Sequence, residues 1–312
     1  MRAVFMGTPA IAVPALEALH AIAEVPFVVC QPDKPAGRGM NLTAPPVKVR
    51  ALELGLDVRQ PVKVRDGTLA GWLREARADL ALVIAYGRIL PRDVLDAPRV
   101  GCLNLHASLL PQLRGAAPIT WAIVRGHQET GVGLMQMEEG LDTGPVFAEL
   151  RLAIDPDETA GELGVRIGAL AAELVRASLV DAVEGRLVSR PQDHAAATLA
   201  PILRKEDGRI DWSKPASAVH DHVRGMSPWP GASTTLPDGR VLRILRTQRV
   251  DTTTTMTEHG PGTLAVADRS GVFVACGSGV VGVLEAQLEG KRAMRAADLV
   301  NGRVLARGLR LG

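Results

Sequence analysis

Asn104 and His106 stand two residues apart in Gly101-Cys102-Leu103-Asn104-Leu105-His106-Ala107-Ser108-Leu109-Leu110-Pro111, and a carboxylate follows in Gly140-Leu141-Asp142-Thr143-Gly144-Pro145. An amide, an imidazole and a carboxylate equip a chain to move an acyl group to an amine without a metal. Attack of an amine on a carbonyl carbon builds an oxyanion, leaves a surplus proton on the nucleophile and demands one at the leaving nitrogen. The NH2 of Asn104 can donate to the oxyanion, and removing such a donor costs on the order of a hundred- to a thousand-fold in turnover. His106, which titrates near neutrality when unperturbed, can add to that stabilisation and pass a proton. Asp142 can orient and stabilise the imidazolium, or relay the amine's proton through water. Which group moves which proton is left open by the residue types. Plainer readings exist for each: a hydrogen-bonded Asn104/His106 pair capping a sheet, and a turn aspartate at Asp142. Only the combination favours chemistry. No Cys or Ser sits in an obvious nucleophile elbow.

These groups need a scaffold that presents them at strand or loop ends. The first half of the chain alternates apolar runs, Ala3 to Met6, Val25 to Cys30, Leu80 to Ala85 and Cys102 to Leu105, with amphipathic segments at Val13 to His20, Val47 to Leu54 and Leu69 to Ala76. That alternation predicts βαβ units and a parallel sheet whose ligands sit beyond the carboxyl ends of the strands. At the end of an extended strand, Asn104 and His106 point the same way, away from Leu105. Thr130 to Met137 and Val146 to Leu152 extend the sheet, and Leu163, Ile167, Leu170, Leu174 and Val175 mark a helix from about Thr159 to Glu184 that Gly185 caps. Periodicity is lost from Arg190 to Glu206, which predicts a catalytic domain over 1–189, a linker over 190–206 and a second domain over 207–312. In the last, a helix at Ala216 to Arg224 precedes strands at Ser233 to Leu236, Val241 to Leu245, Thr263 to Ala267, Val272 to Ala275 and Val280 to Leu284, the pattern of a small β-barrel. Asp251 to Thr257 is expected to be a loop.

The 312 residues, 46% of them hydrophobic, suffice for two cores. No apolar run is long enough for a membrane span, and Arg2-Ala3-Val4-Phe5-Met6 reads as a strand, so a cytoplasmic protein without a membrane partner is expected. Cys30, Cys102 and Cys276 lie far apart without CxxC spacing, which predicts buried thiols and neither disulfides nor zinc. A net charge of +2 demands no polyanionic partner by itself, and 3% aromatic residues argue against nucleic acid held by base stacking. Gly7-Thr8-Pro9 follows the first strand but lacks GxGxxG, and Pro9 removes a phosphate-cradling donor, so a dinucleotide site is not expected there.

With Gly7-Thr8-Pro9, Gln31 through Gly39, Ala85-Tyr86-Gly87, Asn104 through Pro111, Gly115 through Ile119, Glu129 through Val132, Gly140 through Gly144, Pro228 through Gly231 and Gly290 through Met294, the chain resembles the methionyl-tRNA formyltransferase family over essentially its whole length. The resemblance implies an α/β fold: a Rossmann-like, doubly wound formyltransferase domain followed by a C-terminal β-barrel of the OB type. It carries the catalytic roles onto Asn104, His106 and Asp142. The donor it implies is 10-formyltetrahydrofolate, contacted by Ser108, Leu109, Leu110 and Pro111, with Tyr86, Gly87 and Gly115 in the same site and no metal. The implied acceptor is the α-amino group of initiator methionyl-tRNA, formylated for translation initiation by a monomer. One departure stands out: the family commonly has Arg-Trp after the proline, and this chain has Gln112-Leu113.

For the tRNA, Lys34, Arg38 and Lys48 flank a Gly- and Pro-rich loop that is long for a strand-to-helix link. The resemblance implies that this loop wedges into the acceptor end; Arg38, with its forked donors, is the best candidate for a base or phosphate contact. Arg240, Arg243, Arg246 and Arg249 form one basic group and Lys291, Arg292 and Arg295 another, with Arg243, Arg246, Lys291 and Arg292 the expected phosphate contacts. Steps of three alternate faces on a strand, so the arginines share a surface only if it bends or bulges. Two other readings stay open: a folate-dependent enzyme acting on a small amine such as a sugar nucleotide, and an inactive tRNA-binding homologue.

Overall fold

Runs that are apolar at every position can be strands only where both sheet faces are covered. Ala3–Gly7, Leu80–Ile84 and Cys102–His106 are such strands, each buried along its whole length. The computed structural model describes residues 1–36, 41–250 and 259–312. Arg38 and the loop expected over Asp251 to Thr257 therefore lie outside the described residues. The chain divides into two compact units: one holds 1–118, 129–152 and 164–201, the other 119–128, 153–163 and 202–312.

In the first unit a seven-stranded sheet runs in the order Val146–Ala153, Glu129–Gln136, Cys102–His106, Leu80–Ile84, Ala3–Gly7, Val28–Val29, Val58–Arg59. The last five are parallel, and Glu129–Gln136 is antiparallel to Cys102–His106. Helices Val13–Ile22, Pro46–Glu53, Thr68–Glu75 and Arg92–Leu95 make the crossovers. Strand order reverses beside Ala3–Gly7, which opens a crevice at the carboxyl ends of that strand and of Leu80–Ile84, where α/β sheets bind their ligands. The Val25 to Cys30 run supplies only a two-residue strand, matched to the two-residue Val58–Arg59 beside it. A hairpin of Lys34–Ala36 against Asn41–Thr43 and a helix at Pro118–Val124 were not legible in the periodicity. The long helix spans Ala160–Val183, and Gly185 follows at φ 73°, a value that glycine adopts without penalty. Within 190–206, Leu199–Ala200 pairs in parallel with Arg114–Gly115.

The second unit is antiparallel, in the order Ala232–Thr235, Val241–Arg249, Val280–Leu288, Gly271–Ala275, Leu264–Asp268, with Met294–Arg295 beside Val280–Leu288. The C-terminal tail joins the two ends of this path: Leu264 N–H donates to Leu309 O at 2.9 Å and Gly312 N–H to Thr235 O at 3.1 Å. The sheet thereby closes on a core that includes Trp212, Val223, Leu242, Ile244, Val274 and Leu299.

A bulge decides where the arginines go. Register shifts between Ile244 and Arg246, so Arg243 and Arg246 oppose Gln287 and Glu285, two residues apart on one face of the neighbouring strand. Arg240 pairs with Asp238, and Arg249 reaches Asp221 at 3.0 Å. Asp221 is buried and also takes Arg224 at 2.8 Å, while Arg224 donates to Asp155 O and Glu158 O, both at 3.2 Å. Removing one partner of a buried ion pair leaves the other charge uncompensated, at a cost of about 3–5 kcal/mol. Because Asp221 keeps Arg249, Arg224→Ala should lower the unfolding free energy by no more than that, seen as a lower urea midpoint, and Arg224→Met with Asp221→Leu should recover most of the loss; an unchanged midpoint in the single variant would make the pair dispensable.

Candidate active site

At the carboxyl end of Cys102–His106 the sheet delivers two side chains to one face. Asn104, 9% exposed, lies in register with Val83 and Met135, and His106, 5% exposed, opposite Gly133. Among the described residues nothing hydrogen-bonds to the Asn104 amide, which leaves both of its N–H groups available to an incoming oxygen. His106 Nε2 stands 3.0 Å from Leu113 O. A carbonyl oxygen only accepts, so Nε2 carries the proton and Nδ1 holds the lone pair in the neutral ring. That Nδ1 faces Asp142 Oδ2 at 3.7 Å, too far for a hydrogen bond and close enough for an ion pair once the ring is protonated.

Asp142 is fixed from several directions. Its Oδ2 accepts the Gly115 N–H at 2.8 Å, and its main chain sits at φ 51°, in the left-handed region that Asp enters more readily than most residues. Its carbonyl accepts Gln192 Nε2 at 2.9 Å, and Gly144 O accepts the same amide at 2.7 Å. Gly115 has φ 122°, and a Cβ there would come within 2.6 Å of Ala200 O. Glycine at this position lets two backbones approach while its own N–H reaches the carboxylate.

The 108–113 turn is held by backbone and hydroxyl groups: Ser108 Oγ donates to Gln112 O at 2.6 Å, Gln112 N–H to Leu109 O at 3.1 Å, and Leu113 N–H to Thr198 Oγ1 at 2.9 Å. At the Gln112-Leu113 departure, both residues accept hydrogen bonds through their carbonyls. Ser108 and Leu110 are buried, Leu109, Pro111 and Gly115 partly exposed.

A second polar group gathers at neighbouring strand ends. Thr8 Oγ1 and Gln31 Nε2 both donate to Tyr86 O, at 3.1 and 3.2 Å, and Arg88 Nε donates to Gln31 Oε1 at 3.1 Å. Gly87 is exposed beside them, whereas the Tyr86 ring is buried, its hydroxyl without a hydrogen-bond partner among the described residues and pushed up to about 12 by burial. Lys48 Nζ lies 2.7 Å from Asp33 Oδ2 and 2.9 Å from Gln60 Oε1, at the base of the hairpin. Hydrogen bonds from Gln60 and then Lys48 hold the Asp33 carboxyl below its ordinary range. Lys34 is exposed on the hairpin. Of the barrel cations, Arg243, Lys291 and Arg292 are exposed, and Arg246 pairs with Glu162. That contact, followed by the Thr159 backbone bond, brings the Glu162 carboxyl down to about 2. All three thiols are free and buried. Among the described residues no cluster of three or more His, Cys, Asp or Glu is placed to hold a metal ion, and no helix is long and apolar enough to cross a membrane.

Sequence reasoning missed Gln192 and the part Arg114 plays with it. Both are buried; Gln192 lies in an aperiodic stretch, and nothing in the residue types pairs Arg114 with it.

Taken together, a doubly wound sheet whose strand end carries an amide and an imidazole on one face, with a carboxylate 3.7 Å from the ring, is the arrangement of a group-transfer enzyme. Residues 1–179 match the family model described as formyl transferase and residues 202–304 the model for its C-terminal domain; the chain belongs to this family. It is 60% identical over 312 residues, the full length of both chains, to a protein of Sorangium cellulosum (strain So ce56) named methionyl-tRNA formyltransferase. A Myxococcus xanthus (strain DK1622) protein of the same name is 49% identical over 307 residues, covering 98% of this chain and 96% of its own. Among solved structures, HypX from Aquifex aeolicus in complex with tetrahydrofolic acid shares the fold at 16% identity and a TM-score of 0.64, over 98% of this chain and 48% of that one.

Gly115→Ala places a Cβ against Ala200 O and displaces the N–H that holds Asp142. Because shifts of about 1 Å cost on the order of a hundred-fold in rate, its turnover should fall by at least about that factor, and its melting temperature should fall as well, since alanine is strained at φ 122° and its Cβ meets backbone; full turnover would remove this N–H from the site's support.

Proposed function

We propose that this chain transfers the formyl group of 10-formyltetrahydrofolate to the α-amino group of initiator methionyl-tRNA, for translation initiation. Two full-length relatives of that name, at 60% and 49% identity, support the reaction and the acceptor; tetrahydrofolic acid bound to a protein of the same fold supports the donor. The single observation that carries the mechanism is the arrangement around His106: Nε2–H satisfied by Leu113 O, and Nδ1 turned toward Asp142.

In this reading the amine attacks the formyl carbon and the Asn104 amide donates to the oxyanion that develops. The amine's proton passes to His106 Nδ1. The imidazolium so formed donates on one side to Leu113 O and faces the Asp142 carboxylate on the other, so the charge arises where a counter-charge already stands. Collapse of the tetrahedral species breaks the bond to the folate nitrogen, which takes the proton back from His106. Formyl carbon and proton both balance without an enzyme-bound intermediate.

Ser108, Leu109, Leu110, Pro111 and Gly115, with Tyr86 and Gly87, form the folate site in this proposal, Tyr86 through its backbone because its ring is buried. Lys34 on the hairpin, together with Arg38 and with Arg243, Arg246, Lys291 and Arg292 in the second unit, contacts the tRNA. Lys48, engaged with Asp33, acts at the hairpin base. Residues 1–189 serve catalysis, 190–206 connect and 207–312 hold the tRNA. The enzyme works as a cytoplasmic monomer.

Purified protein should formylate charged initiator tRNA with 10-formyltetrahydrofolate and leave amino-sugar nucleotides untouched; the reverse preference would sink the proposal, and no turnover with either would leave a binding protein. Asn104→Ala and Asp142→Ala should each reduce turnover by at least about a hundred-fold while tRNA binding persists in a filter or mobility-shift assay.

A further inference from the structure

Gln192 uses all of its hydrogen-bonding capacity, and it does so between two parts of the site. Its Nε2 donates to Asp142 O at 2.9 Å and to Gly144 O at 2.7 Å, and its Oε1 accepts from Arg114 Nε at 3.0 Å and Nη2 at 2.7 Å. A guanidinium only donates and a carbonyl only accepts, so the amide has one possible orientation. Gln192 is 8% exposed and Arg114 6%. The next residue after Arg114 is Gly115, whose N–H holds Asp142 Oδ2 at 2.8 Å. Asp142 is therefore gripped twice: through its carboxylate by Gly115, and through its carbonyl by Gln192, which is anchored to the residue preceding Gly115.

That double grip matters because the turn does not hold itself. Asp142 occupies a left-handed conformation, and Gly140 and Gly144 lie on either side of it. Free of the amide, the turn would relax, and Asp142 Oδ2 would drift from the 3.7 Å at which it faces His106 Nδ1. We infer that Gln192 is a positioning residue for formyl transfer: it holds the 140–144 turn so that the Asp142 carboxylate stays opposite the imidazolium that forms on His106. The inference rests on the proposed role of Asp142 in the reaction. It also gives the stretch 190–206 a part in the site.

Gln192→Glu separates this role from simple packing. The new carboxylate keeps the shape and the contact with Arg114, now as an ion pair, but offers no N–H to either carbonyl and sets a negative charge against both. With charged initiator methionyl-tRNA and 10-formyltetrahydrofolate as substrates, kcat should fall about 10- to 100-fold while KM for each stays within about threefold, since the displaced group serves the transition state. Combined with Asp142→Asn, it should produce no loss beyond that of Asp142→Asn alone, because residues acting as one unit are not additive. Wild-type kcat in Gln192→Glu, or losses that multiply in the double variant while Asp142→Asn is itself slow, would overturn the inference and leave the role of Asp142 standing. Normal turnover in Asp142→Asn would instead overturn that role, and the inference with it. If Gln192→Glu does not yield folded protein, Gln192→Met, which removes the donors without adding charge, takes its place in the same cycle.

Discussion

One carboxylate oxygen carries the organisation of the catalytic unit. Asp142 Oδ2 accepts a backbone N–H from Gly115 and looks across 3.7 Å to His106 Nδ1. The first contact fixes where the charge sits; the second fixes what it acts on. For the neutral imidazole this arrangement is unremarkable, since a lone pair faces an anion at more than hydrogen-bond distance. Once Nδ1 gains a proton, the same distance becomes an attraction in a site largely closed to water, where charges interact more strongly than in bulk.

Supporting that oxygen requires several elements at once. Gly115 must approach Ala200 more closely than any residue with a Cβ allows, and Leu199–Ala200 must pair with Arg114–Gly115 to bring it there. Leu113, at φ 59°, turns its carbonyl onto His106 Nε2 and its N–H onto Thr198 Oγ1. Left-handed backbone at a non-glycine residue persists where its surroundings over-determine it, and here they do so through hydrogen bonds to both the carbonyl and the amide. Gln112 and Leu113, which depart from the family pattern, enter these contacts through their backbones.

In the second unit the comparable constraint is the bulge at Leu245. Without it, steps of three would scatter Arg243 and Arg246 to opposite faces; with it they share one, opposite Gln287 and Glu285. Arg240 pairs with Asp238, Arg249 with Asp221 and Arg246 with Glu162. Arg243, Lys291, Arg292 and Arg295 are exposed. Four arginines in a sequence run therefore sit in four different surroundings.

Most of the sheet was legible because burial on both faces demands uninterrupted apolar runs, as in Leu80–Ile84 and Cys102–His106. The barrel strands were legible because turn residues punctuate them. Short elements escaped: Pro118–Val124 offers under two helical turns, and Val28–Val29 takes its length from its neighbour. Gln192 escaped for another reason, since a glutamine in an aperiodic stretch looks like surface until its partners are known. By itself the sequence determined the chemical identities at Asn104, His106 and Asp142, the strand end that carries the first two, and the family. Only the tertiary structure decided that Asp142 meets Gly115 across 27 residues, and that Gln192 joins Asp142 across 50 and Arg114 across 78. Periodicity and residue type report each segment's own burial and chemistry, whereas contacts over such separations depend on which backbones pair in the folded chain.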